Sequence, residues 1–102
     1  MPEEKAQVAA AQQLQLQITI DDATANGTYA NMAMVNHNET EFIVDFIFVH
    51  PQMAKATVRS RVVTSPKHLK RLLLALQDNL GRYEAQFGKV DISGPGMNLP
   101  MH

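Results

Sequence analysis

Hydrophobic residues follow a strand-like period over the first two thirds of the chain. In the first of four segments, apolar side chains alternate with polar ones, as in a half-buried strand, whereas the third segment is apolar at almost every position. A loop at Asn36–Glu39 is short enough to join antiparallel neighbours, and Pro51 breaks the ladder after the third segment. The four predicted strands are Leu14–Ile20, Thr28–His37, Glu41–His50 and Lys55–Thr64.

A helical period replaces the strand pattern after residue 65. Ser65 is a favourable N-cap, and Pro66 fits the first helical position, where its missing N–H does no harm. Gly88 is a natural terminator. Large apolar side chains recur on one stripe of the predicted helix. They are Leu69, Leu72, Leu73, Leu76, Leu80, Tyr83 and Phe87.

These elements predict an α+β domain, in which a four-stranded, meander-like antiparallel sheet is followed by one long C-terminal amphipathic helix packed on one face. The apolar third strand supplies Phe42, Val44, Phe46 and Phe48 to the covered face. We expect a flexible N-terminal arm at 1–12, a single ββββα domain at 13–88 and an extended or disordered tail at 89–102.

One helix covers only one face of such a sheet, so apolar residues remain on the other face. Exposed apolar surface of this kind usually marks a contact, which predicts self-association into a dimer or higher oligomer. The alternative is that the arm or the tail folds over this face. The predicted self-association residues are Ala33, Val35, Ile43, Ile47, Val49 and, off the helix stripe, Leu74.

Asp45 is the only acid within an apolar strand. When the apolar faces of the third and fourth strands are matched, Asp45 lies opposite Arg59 or Arg61, and the pattern does not choose between them. A cross-strand ion pair is therefore expected. A single acid without a second carboxylate or base makes no catalytic pair.

Composition narrows the function classes. The 102 residues include no cysteine, which excludes disulfides, thiolate zinc sites and a thiol nucleophile. The four histidines lack metal-ligand spacing, and no nucleophile or phosphate-loop motif occurs. No apolar run reaches the roughly 18 residues of a membrane span. We therefore expect a cytoplasmic protein that is not an enzyme and has no metal, cofactor or small-molecule substrate.

Charge is distributed unevenly, although the net charge is only −1. Residues 1–45 carry seven acids and one lysine, whereas residues 46–77 carry six basic residues and no acid. Cations in the first turns of a helix oppose its macrodipole, so folding alone does not explain them. Either the chain's own acids neutralise them or an anionic partner binds there. The candidate partner-binding residues are Arg59, Arg61, Lys67, Lys70 and Arg71.

Between Gly27 and Gly88 the chain resembles a short prokaryotic family, the domain of unknown function 3467 family. The resemblance is specific in the order of its elements, and the N-terminal arm and the tail lie outside it. The segments that carry it are Gly27–Asn31, Glu41–Phe46, Ser60–Leu73, Ala75–Leu80 and Tyr83–Gly88.

The resemblance implies no activity or catalytic residue, because none is established for that family. Some members are encoded beside the large RNA polymerase subunits, which implies a transcription-associated accessory protein. The expected function is thus a non-catalytic, homo-oligomeric interaction module that docks on RNA polymerase or another acidic or nucleic-acid surface. The alternative is a chaperone similar to SecB that binds unfolded chains through an apolar sheet face.

Overall fold

The structure, a computed structural model, describes residues 16–93. The elements in that range are α1 (Asp22–Ala25), β1 (Met32–His37), β2 (Phe42–Val49), β3 (Ala56–Thr64) and α2 (Pro66–Phe87). The chain is therefore α+β, with an antiparallel sheet followed by a C-terminal helix, as predicted. The sheet lies in one compact unit, Gln17–Pro66, and a second unit begins at Lys67 with the helix.

The sheet has three strands rather than the predicted four. Residues 16–20 form no strand, and Leu16, Ile18 and Ile20 are exposed. Alternation of side chains specifies only which of them share a face, whereas a strand also needs a neighbour that supplies N–H and C=O partners. The chain instead enters α1, where Asp21 accepts a 2.7 Å hydrogen bond from the backbone N–H of Thr24.

Strands β1 and β2 form an antiparallel hairpin. Their register pairs Met34 with Asp45 and His37 with Phe42. Asn38 organises the loop, because its Oδ1 accepts hydrogen bonds from the backbone N–H groups of Thr40 and Glu41, both at 2.9 Å. This use of an asparagine side chain is characteristic of tight turns.

Strands β2 and β3 are also antiparallel, but their ladder contains a bulge. Phe46 pairs with Ser60 and Ile47 pairs with Val58, so Arg59 is an extra residue on β3. The predicted alternation of β3 is therefore wrong on one side of the bulge: Ala56 and Val58 change faces relative to Ser60. One inserted residue reverses the side-chain parity of everything beyond it.

The core lies on the central strand. Val44, Asp45, Ile47 and Val49 are the buried residues of the described chain, and all belong to β2. Asp45 and Ile47 lie on the face of β2 that also carries Ile43 and Val49, here called the isoleucine face. Phe42, Val44, Phe46 and Phe48 form the opposite, phenylalanine face.

Helix α2 has the predicted bounds. It begins at Pro66 and ends at Phe87, and Gly88 follows with a φ of 102°, which favours glycine. The backbone N–H of Gly88 donates to the carbonyl of Glu84 at 2.9 Å. None of the 22 residues of α2 is buried. That this helix covers one face of the sheet stays a prediction.

The predicted arm, residues 1–12, lies outside the described residues, and so does the tail from residue 94 onward. Residues 89–93 are described, are exposed and belong to no helix or strand. Three hydrogen bonds hold this short segment locally, one of them from the Ser93 hydroxyl to Asp91 Oδ1. The backbone N–H of Val90 donates to Glu84 Oε2 at 2.8 Å, and that of Ser93 donates to Asp91 Oδ1 at 2.8 Å.

Candidate functional site

The predicted cross-strand ion pair forms, and Arg61 is the partner of Asp45. The two residues face each other in the β2–β3 ladder. The guanidinium binds through two nitrogens: Nε donates to Asp45 Oδ1 at 2.7 Å and Nη2 donates to Oδ2 at 3.0 Å. The carboxylate side chain is only 7% exposed, whereas that of Arg61 is 61% exposed. The pair thus brings a buried acid and a surface cation together.

The guanidinium hydrogen bonds set the ionisation of Asp45. They hold the pKa of its carboxyl below the usual value, and the positive charge of Arg61 adds to this, while burial opposes it. The pKa of Arg61 is raised in turn, mainly by its hydrogen bonds to Asp45. A carboxylate held ionised in this way accepts hydrogen bonds and is a poor proton donor near neutral pH. The expected cross-strand pairing of Asp45 is therefore confirmed, with Arg61 as its partner.

Arg61 keeps capacity for a further partner. A guanidinium has five N–H donors, and Asp45 takes two of them. The neighbouring Arg59 is the extra residue of the bulge and is exposed, as is Lys55 before β3. Bulges re-aim side chains within an otherwise regular strand. The sheet unit therefore presents basic side chains along β3.

The helix unit carries the remaining predicted basic residues, Lys67, Lys70 and Arg71, here called the basic cluster. Spacings of three and four residues place them on one side of α2. At 100° per residue Lys67 and Arg71 lie nearly opposite the apolar stripe, and Lys70 lies closer to its edge. Lys67 and Lys70 are exposed and Arg71 is half-buried.

No ion pair joins the basic cluster to an acid among the described residues. Neither Arg59 nor Arg61 belongs to the helix unit, so a single patch formed by all five predicted residues stays a prediction. Each unit by itself nevertheless carries basic side chains at its surface. The first turn of α2 contains no acid that would offset the macrodipole.

The predicted self-association surface is not one surface. Ala33 pairs with Phe46 and Val35 pairs with Val44, so both lie on the phenylalanine face, away from Ile43. The prediction that they share the isoleucine face is wrong. It placed odd-numbered residues of β1 on the same face as odd-numbered residues of β2, whereas the observed register pairs odd-numbered residues with even-numbered ones.

The isoleucine face is also less open than expected. Ile47 and Val49 are buried, and Ile43 and Leu74 are half-buried. Large exposed apolar residues of the described chain lie on both faces of the sheet and on the helix. On the sheet they are Met34, Phe46, Val58, Val62 and Val63, and on α2 they are Leu72, Leu73, Leu76, Leu80, Tyr83 and Phe87.

Among the described residues, one surface depression and the grouping of possible metal ligands bear on whether a substrate or an ion could bind. A shallow, open depression of about 440 Å³ lies along α2, lined in part by Asp78 and Arg82, which form a 2.7 Å ion pair. Within residues 16–93, no three His, Asp or Glu side chains are grouped to bind a metal. None of the helices in that range has the length and apolar character to cross a membrane.

Comparison with known proteins gives one match. The model of a family described as proteins of unknown function, DUF3467, matches residues 2–92. The chain belongs to the DUF3467 family. The resemblance to this family is confirmed, but its predicted extent was wrong, because the match includes the N-terminal residues from 2 onward. No curated protein and no solved structure matches the chain.

In this DUF3467 chain, sequence reasoning missed Asn31, which completes the edge of the sheet. Its Oδ1 accepts from the backbone N–H of Val49 at 2.8 Å, and its Nδ2 donates to the carbonyl of Val49 at 3.1 Å. Its own backbone N–H donates to the carbonyl of Ile47 at 3.0 Å. An asparagine four residues after Gly27 looks like turn chemistry, so nothing in the pattern reveals this pairing.

Proposed function

We propose that this chain is a non-catalytic, self-associating interaction module of the cytoplasm that docks on an acidic protein surface. The observation that carries the proposal is the basic cluster. Lys67, Lys70 and Arg71 share one side of α2, and no described acid pairs with them. Like charges three and four residues apart repel each other and oppose the macrodipole, so the arrangement lowers helix stability. Binding an anionic surface offsets that cost.

An acidic protein fits better than a nucleic acid. Proteins that bind single strands without sequence preference place aromatic side chains among their cations so that bases can stack. In the first two turns of α2 no phenylalanine, tyrosine or tryptophan accompanies the basic cluster. The family resemblance supports the transcription machinery as the source of the partner, with RNA polymerase as the first candidate.

The test is direct binding to purified bacterial RNA polymerase core enzyme over a range of salt concentrations. We expect salt to weaken binding steeply, since exposed charges separated by more than a Debye length are screened. Lys67→Glu/Arg71→Glu should abolish binding at low salt. The matched control, Lys55→Glu/Lys89→Glu, makes the same charge change at two exposed positions outside the basic cluster.

If both double variants bind like the wild type, the docking proposal fails. If both lose binding equally, overall charge rather than the basic cluster governs the association, and the proposed site is wrong. A parallel titration with duplex and single-stranded DNA decides between partner classes. Cluster-dependent binding to DNA but not to the polymerase overturns the choice of a protein partner.

A second candidate function rests on the exposed apolar side chains of the sheet. Phe46 and Val62 are both exposed on the phenylalanine face, and such surface can hold unfolded segments. A chaperone of this kind suppresses aggregation of a chemically unfolded client. That effect should persist in high salt and disappear in Phe46→Ser/Val62→Thr, whereas Lys67→Glu/Arg71→Glu should retain it.

A further inference from the structure

Six apolar residues of α2 follow a stricter pattern than ordinary amphipathicity. Successive members are separated by four, three, four, three and four residues, which is the 3.5-residue period of a coiled-coil seam. We call this set the heptad seam. It runs over nearly the whole helix and consists of Leu69, Leu73, Leu76, Leu80, Tyr83 and Phe87.

The side chains of the heptad seam are largely exposed. Leu69 is half-buried, and the other five side chains are between 49% and 66% exposed. The last two members contact each other, with the rings of Tyr83 and Phe87 5.0 Å apart. A continuous apolar seam about 30 Å long, on a helix with 1.5 Å rise per residue, matches the interface of a second helix.

Charges beside the heptad seam select the partner and its direction. Lys70, Gln77 and Glu84 are seven residues apart, so they occupy the same heptad position along one edge of the seam. When two identical helices run antiparallel about Gln77, Lys70 of each copy faces Glu84 of the other. Glu84 is held in place by the N–H of Val90 at its Oε2, and a carboxylate can accept further hydrogen bonds.

The antiparallel direction also pairs large apolar side chains with smaller ones and keeps the two basic clusters apart. Leu76 then meets Leu80 of the second copy, and the bulky Tyr83 and Phe87 meet leucines rather than their own counterparts. A parallel pair would bring the two basic clusters side by side, six cations in all, and would align the two macrodipoles. The antiparallel pair places the two clusters at opposite ends.

We infer that two copies of this chain pair through α2, antiparallel and centred on Gln77, with the heptad seam buried between them and reciprocal Lys70–Glu84 ion pairs on its edge. This deepens the proposed self-association and rests on it. It assigns the heptad seam to a second copy, while Lys67 and Arg71 stay on the outer side of the helix, free for the anionic partner.

Sedimentation equilibrium of the full chain tests the pairing. Leu76→Glu should weaken the dimer by more than about a hundredfold, because it buries a charge in the seam. Lys70→Glu alone and Glu84→Lys alone should each weaken it on the order of tenfold, since each turns two attractions into two repulsions. Lys70→Glu/Glu84→Lys should restore it, and an equimolar mixture of the two single variants should form heterodimers.

Single cysteines report the direction, because the natural chain has none. With a short bis-maleimide, Gln77→Cys should cross-link to itself. Lys70→Cys should cross-link to Glu84→Cys in a mixture and not to itself. Self-linking of Lys70→Cys overturns the antiparallel arrangement.

If the Leu76→Glu variant still dimerises and its circular dichroism spectrum shows a folded chain, the heptad seam is not the dimer interface. If Leu76→Glu unfolds the chain, the charge-swap series decides, and failure of the double variant to recover dimerisation overturns the ion pairs. Polymerase binding by Lys67→Glu/Arg71→Glu is measured separately. A wild-type chain that docks on the polymerase but stays monomeric refutes this inference alone, and a wild-type chain that dimerises but does not dock refutes the docking alone.

Discussion

Asp45 and Arg61 join the central strand β2 to the edge strand β3 through a two-pronged ion pair in which the acid is buried and the cation reaches the surface. The distances of 2.7 Å and 3.0 Å match charge-assisted hydrogen bonds in a fork geometry. The pair lies one register step from the bulge at Arg59. A one-residue slip of β3 would move Arg61 to the other face and leave Asp45 buried without its partner, so the pair also specifies the register.

The pH dependence of Asp45→Asn should reveal this ion pair. Arg61 lowers the pKa of the folded carboxyl below its unfolded value of about 3.9, so the stabilisation is present above that pH. It is lost as the pH falls through the folded pKa. Asp45→Asn should therefore be less stable than the wild type near pH 7, and the difference should shrink in acid. Urea midpoints measured over the acid range check this.

A double-mutant cycle with Arg61→Gln provides the control. Arg61→Gln leaves the buried carboxylate unpaired, so it should destabilise the fold more at pH 7 than in acid, where the carboxyl is protonated. Asp45→Asn/Arg61→Gln should lose less stability than the two single losses added together. Additive losses would show that the two residues are not coupled.

Asn31→Ala should destabilise the sheet edge. It removes both hydrogen bonds from the side chain to the main chain of Val49, which is itself buried. Leaving buried backbone groups without partners costs roughly 1–3 kcal/mol of unfolding free energy. Urea unfolding monitored by tyrosine fluorescence measures the loss.

Asn31→Asp tests the hydrogen bond that Asn31 donates to Val49 separately from the one that it accepts. The introduced carboxylate can accept from Val49 N–H, but only its protonated form can donate to the carbonyl. The ionised variant loses the bond to the Val49 carbonyl, so it should be less stable than the wild type at pH 7, and protonation in acid should narrow the difference. A pH-independent difference would argue against the pairing with the Val49 carbonyl.

The same truncation at two isoleucines tests where the core lies. Ile47→Ala removes a side chain that is 3% exposed and should cost about 2–5 kcal/mol of unfolding free energy. Ile18→Ala removes one that is 88% exposed and should change stability by no more than about 0.5 kcal/mol. Equal losses in urea unfolding would place Ile18 in a packed strand and contradict the three-stranded sheet.

The structural positions of Ile47 and Ile18 show how much of the fold the sequence pattern could predict. Alternation predicted β2 and β3 to within one residue, and the caps and stripe predicted α2 at its observed ends. The same alternation failed at Leu16, Ile18 and Ile20, because a period of two describes side chains and contains no information about a hydrogen-bonding neighbour. Strand formation there depends on a partner outside the segment.

The candidate site could be predicted only where the alternation of side chains between the two faces of the sheet determines it. Matching apolar faces gave Asp45 two possible partners, and the structure selects Arg61. The bulge at Arg59 could not be foreseen, since no glycine marks it and the alternation of β3 looks regular through it. The parity between β1 and β2 depends on where the loop around Asn38 closes, and a shift of one residue there moved Ala33 and Val35 to the other face.

Gly81→Ala should stabilise α2. Gly81 lies within the helix, and a Cβ built there meets no atom within 4 Å. Alanine is preferred over glycine inside a helix by about 1 kcal/mol, mostly because it restricts the unfolded chain. Thermal unfolding followed at 222 nm should show a higher midpoint, and an unchanged midpoint would mean that α2 is not helical at this position when the fold melts.

Gly88→Ala should have the opposite effect, although the space around it is equally open. No atom lies within 4 Å of a Cβ at Gly88, but its φ of 102° is a conformation that L side chains rarely adopt. An alanine there either strains the backbone or lets the helix continue, which would break the 2.8 Å bond from Val90 N–H to Glu84. Positive φ costs a residue with a Cβ roughly 1–2 kcal/mol. The midpoint should therefore fall for Gly88→Ala and rise for Gly81→Ala, and a rise in both would show that the chain tolerates a longer helix past Phe87.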